Sequence, residues 1–407
     1  MSAPRPASPA AWCMDRSVVY LNAASRTPLP ERTLAAGVEA IRRKATTPWS
    51  IGDTEGQKDQ VRELFAELIG GGATADDVCC VPSCSYAMSL AAHNLRDAMR
   101  ARSASRRQVL VLQDQNPSNV MQWQQLCDDE GGQLRVVARP ADGDWARVIV
   151  EALSDGRVAV CALPPCHWCD GSVVDLPAVG KACRVHGAAL VVDATQWLGA
   201  GPPLDFAAMG ASFVACSIHK WLLGPYGACL CYVAPEFWRH ARPLEQHDRN
   251  REGAQHVECL PMGRDGYPTD FQHGARRLDG GGRPSFIVMP MLLESLKLLV
   301  REIGAAPLNA WLASYTAAIA HAARALGFRV PSRHAPGIVG LWPSREMPDA
   351  ATIVRQLARR QPRPVLVSER LGAIRVSPHL YNTEGDLEEL VAALREAASK
   401  SAPTSRL

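Results

Sequence analysis

The chain has 407 residues, 47% hydrophobic and 21% charged, with 31 Gly and 30 Pro dispersed along it. That composition excludes a disordered tail, a fibrous repeat and a disulfide-stapled miniprotein, and the length suggests two domains or one large elaborated one. The net charge of +3 arises from 44 basic and 41 acidic residues with no block of like sign, so neither nucleic acid nor a membrane surface is indicated as a partner.

The first residues, MSAPRPASPAAW, lack the apolar centre of a signal peptide, and no run of about 18 apolar residues exists for a membrane helix. A soluble cytoplasmic protein whose first dozen residues are a loose tail is expected. Short apolar runs then follow in order: VCCV (78–81), QVLVLQ (108–113), LRVVA (134–138), VAVCAL (158–163), AALVVD (188–193), FVACSI (213–218) and ACLCYV (228–233). Helical patterns such as Met121 to Glu130 and Leu176 to His186 separate several of them. Strands apolar on both faces and separated by helices predict an α/β fold with a mainly parallel central sheet covered on both sides. Such sheets bind ligands outside the carboxyl ends of their strands.

After Gly280-Gly281-Gly282 the pattern changes to a long apolar helix (Phe286 to Ile303), Ala-rich helices, two or three short strands and a last helix from Thr383 to Ala398, with KSAPTSRL as a frayed end. The predicted division is a tail or arm over 1–18, a large domain over 19–282 and a small one over 283–407. The segment before about Val19 is placed to pack on the second domain.

Thirteen cysteines, several clustered inside apolar strands, read as small hydrophobes in a reducing compartment. Cys166 and Cys169 with His167 have half the spacing of a zinc site, but no second pair matches, so no metal is expected.

Only six of the basic residues are lysines: Lys44, Lys58, Lys181, Lys220, Lys297 and Lys400. Lys220 alone directly follows a buried-type strand, FVACSI. A lysine there either snorkels to solvent or, buried, loses its proton and becomes a nucleophile. Asp193 closes the preceding apolar strand, AALVVD, one strand-helix-strand step earlier, so the two side chains are expected side by side. By itself such an aspartate is a cap or turn residue. An acid beside an imine-forming lysine is what pyridoxal 5'-phosphate (PLP) requires, the acid keeping the ring nitrogen protonated. Ser83-Cys84-Ser85-Tyr86 follows VCCV and opens an apolar helix, so hydroxyls and free amides converge on a helix N-terminus suited to a phosphate. Ser217 and His219, flanking Ile218 and Lys220, are further candidate donors.

These residues resemble the PLP-dependent aminotransferase class V family of fold type I, which includes cysteine desulfurases, isopenicillin N epimerase-like proteins and kynureninase-like lyases. The similar stretches run from YLNAAS (20–25) through PSNVMQW (117–123), HWCDG (167–171), VVDATQWLG (191–199) and SIHKWLLGPYG (217–227) to IRVSPHLYNT (374–383). The resemblance implies that Lys220 is the Schiff-base lysine and proton carrier at the substrate Cα, that Asp193 pairs with the ring nitrogen and that Gln196 bonds the ring oxygen. It makes Ser217, His219, Cys84 and Ser85 phosphate ligands and Arg375 the fork for the substrate carboxylate, with Asn22, Ala23 and His273 also at the substrate. A homodimer is implied, with Gly282 and Arg283 reaching the partner's phosphate site.

Two departures stand out. Where relatives stack an aromatic or histidine ring on the cofactor, this chain has Asn116; either Asn116 covers the ring or Trp123 or His167 does. Where desulfurases carry an asparagine near the ring oxygen, this chain has Pro164-Pro165-Cys166-His167-Trp168, and His167 is the candidate replacement, with packing the alternative. Arg276 or Arg277, if turned inward, would favour a substrate with a second anionic group. Trp49, Trp168 and His379 complete the candidates for specificity.

A desulfurase needs a nucleophilic cysteine on a mobile loop shortly before the carboxylate-binding arginine. The last cysteine here is Cys259, and the link from Val365 through Ser368-Glu369-Arg370 to Arg375 is short. The expected activity is therefore a lyase-type elimination from an amino acid or cysteine conjugate, such as carbon–sulfur cleavage, ahead of transamination or epimerisation. The alternative of another class, a binding protein that kept the fold and lost the chemistry, is opposed by intact Lys220, Asp193 and Arg375.

Overall fold

The computed structural model describes residues 11–52, 54–253, 263 and 265–399; the readings made for residues 1–10, Cys259 and the KSAPTSRL end fall outside them. In chain order the strands are β1 (Val19–Tyr20), β2 (Val78–Val81), β3 (Gln108–Leu112), β4 (Gln133–Val137), β5 (Val158–Leu163) and β6 (Ala189–Asp193). They continue with β7 (Ala211–Ser217), β8 (Cys229–Val233), β9 (Val339–Leu341), β10 (Val365–Leu366), β11 (Ser368–Arg370) and β12 (Ala373–Val376).

The seven apolar runs of the sequence form one sheet of order β2-β8-β7-β6-β5-β3-β4. Strands β3 to β7 are parallel, and β8 alone runs against both of its neighbours, β7 and β2. Every residue of β5, β7 and β8 is buried, as a sheet covered on both faces demands. Because β8 is reversed between β7 and β2, the carboxyl end of β2 lies on the same edge as those of β5, β6 and β7. The parallel register sets Leu163 beside Val192 and Asp193 beside Ala215, so these three strands finish in step.

The helices are α1 (Glu31–Thr46), α2 (Glu55–Ile69), α3 (Cys84–Arg100), α4 (Met121–Glu130), α5 (Trp145–Leu153) and α6 (Leu176–His186), then α7 (Val288–Leu296), α8 (Ala305–Ala325), α9 (Ala350–Ala358) and α10 (Glu384–Ala398). The helix expected between β6 and β7 is replaced by a run of turns over 194–210. That connection is too close to the sheet edge for a helix: at Gly199, φ 94°, an added Cβ would lie 2.5 Å from the carbonyl oxygen of Trp221. The long helix expected over 286–303 is α7 continued by π-helical winding from Lys297 to Ile303 and stopped at Gly304, φ 78°. Thr383 caps α10 reciprocally with Asp386, which sets its start where the sequence placed it.

Beyond Gly282, β9, β12 and β11 make a small antiparallel sheet. The N-terminal segment joins this part of the molecule, because β1 pairs with β10 and Asn22 bridges Ser377. Ala11 and Trp12, expected in the loose start, are held in place: the Ala11 carbonyl accepts from the Glu31 amide at 2.9 Å. Trp12 packs edge-on against His379 and Tyr381, with centroids 5.8 and 5.4 Å away. Among the described residues no helix is long and apolar enough to cross a membrane.

His379 is wholly buried in this aromatic nest and stacks on Trp221. Its Nδ1 accepts from the Leu380 amide at 2.8 Å, and burial pushes its pKa down to about 3 from an ordinary 6.5. The unfolded chain therefore binds a proton that the folded chain refuses between those values, and stability must fall as pH drops from 6.5 towards 3. The expected slope from this one group is about 1.4 kcal/mol per pH unit. Denaturant unfolding at stepped pH will show it, and His379→Asn, which keeps the acceptor and removes the titration, will flatten the dependence by that amount.

Candidate active site

The carboxyl ends of β5, β6 and β7 and the starts of α3 and of the turn Pro117–Asn119 enclose a cavity of about 160 Å³. Lys220, Asp193, Gln196, Ser217, His219, Cys84 and Asn116 line it, so seven of the residues singled out in the sequence meet at one place. Thr195, Gln115, Ser118, Asn119, Pro164, Cys166 and Trp168 complete the wall.

Lys220 sits just beyond β7, and burial lowers its pKa, with Asp193 opposing the shift and Arg375 adding to it. Desolvation favours the neutral amine, the form able to attack a carbonyl. Asp193 accepts from the Thr195 amide at 3.0 Å. The Thr195 hydroxyl in turn accepts from the Ser217 amide at 3.1 Å, which ties the ends of β6 and β7 together. His219 stacks on Tyr226 at 4.1 Å, and burial with the nearby Lys220 brings its pKa down to about 4, so it is a neutral imidazole. Gln196 is locked at both ends of its amide: Nε2 donates to the Ala24 carbonyl at 3.0 Å and Oε1 accepts from Trp221 Nε1 at 2.9 Å. Its second N–H and the second lone pair of Oε1 are left for the cavity.

Cys84 and Ser85 part company. Cys84 turns into the cavity at the N-terminus of α3, where burial and then Asp193 raise its pKa and keep it a thiol. Ser85 is exposed and faces an open groove between α3 and α4. Of the three candidates for covering a ring, only Asn116 lines the cavity. Its Oδ1 accepts from the Ser118 amide at 3.0 Å. Trp123 is fully buried and donates to Asn119 Oδ1 at 2.9 Å.

His167 does not reach the site. It lies flat on Trp145 at 5.7 Å, its Nε2 is 3.0 Å from the Gln113 carbonyl and its Nδ1 is 3.2 Å from Arg139. Burial holds its pKa down, so it packs as a neutral ring. The catalytic role entertained for His167 is corrected on that geometry. Trp168, its neighbour, is the one that faces the cavity. His379 is removed into the aromatic nest already described, and Trp49 is 82% exposed.

His273, Arg276 and Arg277 border a different and much more open cavity of about 1200 Å³, rimmed by Glu55, Asp59 and Asp76. Arg276 is engaged by Asp59 and Asp76, and the Arg277 guanidinium lies over Phe271 at 5.1 Å. Within this chain none of the three enters the Lys220 cavity. Gly282 and Arg283 are exposed.

Arg375, on β12, is 1% exposed. Its Nη1 donates to the Trp168 carbonyl at 2.9 Å and its Nη2 to Ser25 Oγ at 2.5 Å, while Nε has no partner. Burial, with Arg370 adding repulsion, lowers its pKa to about 10. No carboxylate among the described residues pairs with it, so a buried cation stands ready for an anion. Asn22 and Ala23 run alongside in the segment that bridges Ser377; the Asn22 Oδ1 is buried without a partner. Ser25 and Ala24 of the same segment hold Arg375 and Gln196 respectively.

Asn119 was not singled out by the sequence reading, although it lies inside PSNVMQW. It is fully buried, and Trp123, which can only donate, fixes which end of the amide is oxygen. The Nδ2 donor, on a residue that lines the cavity, has no partner. A buried lysine of lowered pKa, an acid, the Thr195 and Ser217 hydroxyls, a helix start and an unpartnered amide donor suit a small ring carrying a phosphate, a carbonyl and a phenolic oxygen.

The aminotransferase class-V family model matches residues 19–280. The uncharacterized aminotransferase YcbU of Bacillus subtilis is 28% identical over 345 residues, covering 84% of this chain and 83% of that one. A cysteine desulfurase of Klebsiella pneumoniae is 26% identical over 235 residues, 56% of either chain. The cystine C–S lyase C-DES, in complex with its reaction product cysteine persulfide, shares the fold with a TM-score of 0.79 at 20% identity, covering 94% of this chain and 98% of that one. A second C-DES structure, with glycine covalently linked to its PLP cofactor, has a TM-score of 0.79 at 19% identity over 94% and 97% of the chains. The match over 19–280, carrying the Lys220 and Asp193 strand ends, places this chain in the aminotransferase class-V family of fold type I enzymes, whose cofactor is pyridoxal 5'-phosphate.

Proposed function

We propose that the chain is a lyase that cleaves a carbon–sulfur bond in a cysteine-type conjugate. The observation that carries this reading is the arm leading to Arg375. Strands β11 and β12 are joined by the two-residue turn Leu371-Gly372, and the hairpin holds no cysteine and no slack for a mobile loop. The thiols at the cavity, Cys84 and Cys166, are both driven to higher pKa by burial and stay protonated, so neither is a ready sulfur acceptor. Sulfur then leaves with a small molecule and not on the protein. The likeness to C-DES, a cystine C–S lyase by its description, supports the same class.

Lys220, Asp193, Ser217, His219, Cys84, Gln196 and Asn119 would hold the cofactor, which when bound supplies an electrophilic carbonyl and an electron-accepting ring. The chain supplies the rest. Arg375 pins the substrate carboxylate, which fixes the rotation about Cα and turns its C–H towards Lys220. The Lys220 amine, whose pKa burial lowers, would remove that proton, and Asp193 would pair with the protonated ring nitrogen of the bound cofactor. Trp168 lines the same cavity and would border the bound substrate. We further read the protein as a cytoplasmic homodimer in which Gly282 and Arg283 complete the partner's phosphate site.

Purified protein is expected to be coloured, with the absorbance changed by borohydride reduction; a colourless protein that takes up no added PLP would sink the cofactor assignment. Lys220→Ala should retain cofactor noncovalently and lose about 10²–10⁴-fold in turnover, and full activity in that variant would refute its role.

Incubation with S-substituted cysteines should release ammonia, a keto acid and the thiol together, with no added acceptor. Product that appears only when a keto acid is supplied would instead make the enzyme a transaminase, the activity named for the Bacillus subtilis relative. A change confined to optical rotation would make it an epimerase.

A further inference from the structure

Arg370 lies on β11, at the short turn before β12, and figured in the sequence only as part of the short link to Arg375. The β11–β12 register sets Ser368 opposite Arg375. Arg370, two residues on from Ser368, therefore shares a face with Arg375 and is its diagonal neighbour. The two guanidinium groups converge. Ser25 Oγ accepts from Nη2 of Arg375 at 2.5 Å and from Nη2 of Arg370 at 3.3 Å, and both groups lie over the Trp168 ring, at 6.0 and 5.8 Å.

Two cations held together in a half-buried place repel, and Arg370 is a cause of the lowered Arg375 pKa. Elsewhere in the molecule the buried Arg62 pairs with Asp279, and the half-buried Arg139 and Arg360 pair with Asp170 and Glu389. Among the described residues no carboxylate pairs with Arg370 or Arg375. The adjacent Glu369 is turned away, its Oε1 accepting from the Gly372 amide at 2.7 Å. One carboxylate is already served by Arg375, whose unpartnered Nε completes a fork. The second guanidinium is surplus to a monocarboxylate.

We infer that Arg370 is a specificity-determining residue which binds a second acidic group on the substrate, so that the enzyme prefers amino acids with a short side chain ending in an anion. This rests on the reading that Arg375 takes the α-carboxylate. Because Ser25 bridges the two arginines, the acidic groups must lie close together, a few bonds apart, with the scissile bond between them and the Trp168 ring alongside.

S-carboxymethyl-L-cysteine and its uncharged amide, S-carbamoylmethyl-L-cysteine, differ in that charge alone. The holoenzyme should favour the acid in kcat/KM by about tenfold to a hundredfold, the range for a hydrogen bond to a charged group. Arg370→Gln should bring the ratio to near one, and Arg370→Lys, which keeps a point charge without the fork, should leave it intermediate. A ratio near one in the parent enzyme, or one unchanged in Arg370→Gln, overturns the proposal, as does an equal loss on both substrates, which would mean that both arginines close on one carboxylate.

Binding separates this from the question of elimination. L-2-aminoadipate replaces the sulfur of S-carboxymethyl-L-cysteine by a methylene and cannot lose it. Its dissociation constant, read from the change in the visible spectrum of the holoenzyme, should be lower than that of L-norleucine by a similar factor, and Arg370→Gln should abolish the difference. If no conjugate is cleaved but this binding preference is seen, the lyase reading fails and the role of Arg370 stands.

Discussion

The active site depends on one constraint, the in-step ending of β5, β6 and β7. Parallel pairing sets Asp193 beside Ala215, two residues before Ser217, and the turn after β7 returns Lys220 to the same edge. Strand β8, reversed between β7 and β2, brings the start of α3 there as well. An amine, an acid and a helix N-terminus, far apart in sequence, are thus delivered to one cavity by the sheet alone. Its burial is then what sets the chemistry. The same desolvation that lowers the Lys220 pKa keeps His219 neutral and Cys84 protonated.

The carboxylate-binding half depends on a different element. Residues 22–25 leave β1, bridge Ser377, and present the Ala24 carbonyl to Gln196 and the Ser25 hydroxyl to Arg375. Gln196 continues through Trp221 to the aromatic nest of His379, Trp12 and Tyr381. One short bridge-and-turn segment therefore holds the cofactor side and the substrate side at a fixed separation. Gly171 shows how close the two parts of the molecule come: at φ 75° it packs so tightly on the Ile338 carbonyl oxygen that an added Cβ would overlap it.

Much of this was legible in sequence because burial on both faces writes itself as unbroken apolar runs, and seven such runs became the seven strands. Lys220 and Asp193 could be read because each ends a run. The misreadings have physical causes. His167 was ambiguous because a histidine beside a tryptophan looks the same whether it faces a ligand or lies flat on another ring, as it does on Trp145. The turns over 194–210 were mistaken for a helix because strand-helix-strand is the usual parallel connection. Asn119 and Ser25 sat unremarked inside quoted motifs, since what marks them is a donor left unpartnered and a hydroxyl shared by two cations, neither visible before side chains meet. Arg370 was seen only as part of a link too short for a loop.

That shortness ties the two ends of the mechanism together. A tight hairpin before Arg375 excludes a swinging thiol, and in the same space it fixes a second guanidinium. Under the proposed function such a hairpin offers no sulfur acceptor of its own and turns positive charge towards the substrate. In the proposed elimination, negative charge developing on the substrate side chain would form beside Arg370, whereas a carbanion reprotonated in place, as in epimerisation, would gain nothing from the extra cation. That arrangement of charge is what supports the proposed elimination over transamination and epimerisation, in neither of which negative charge builds on the substrate side chain.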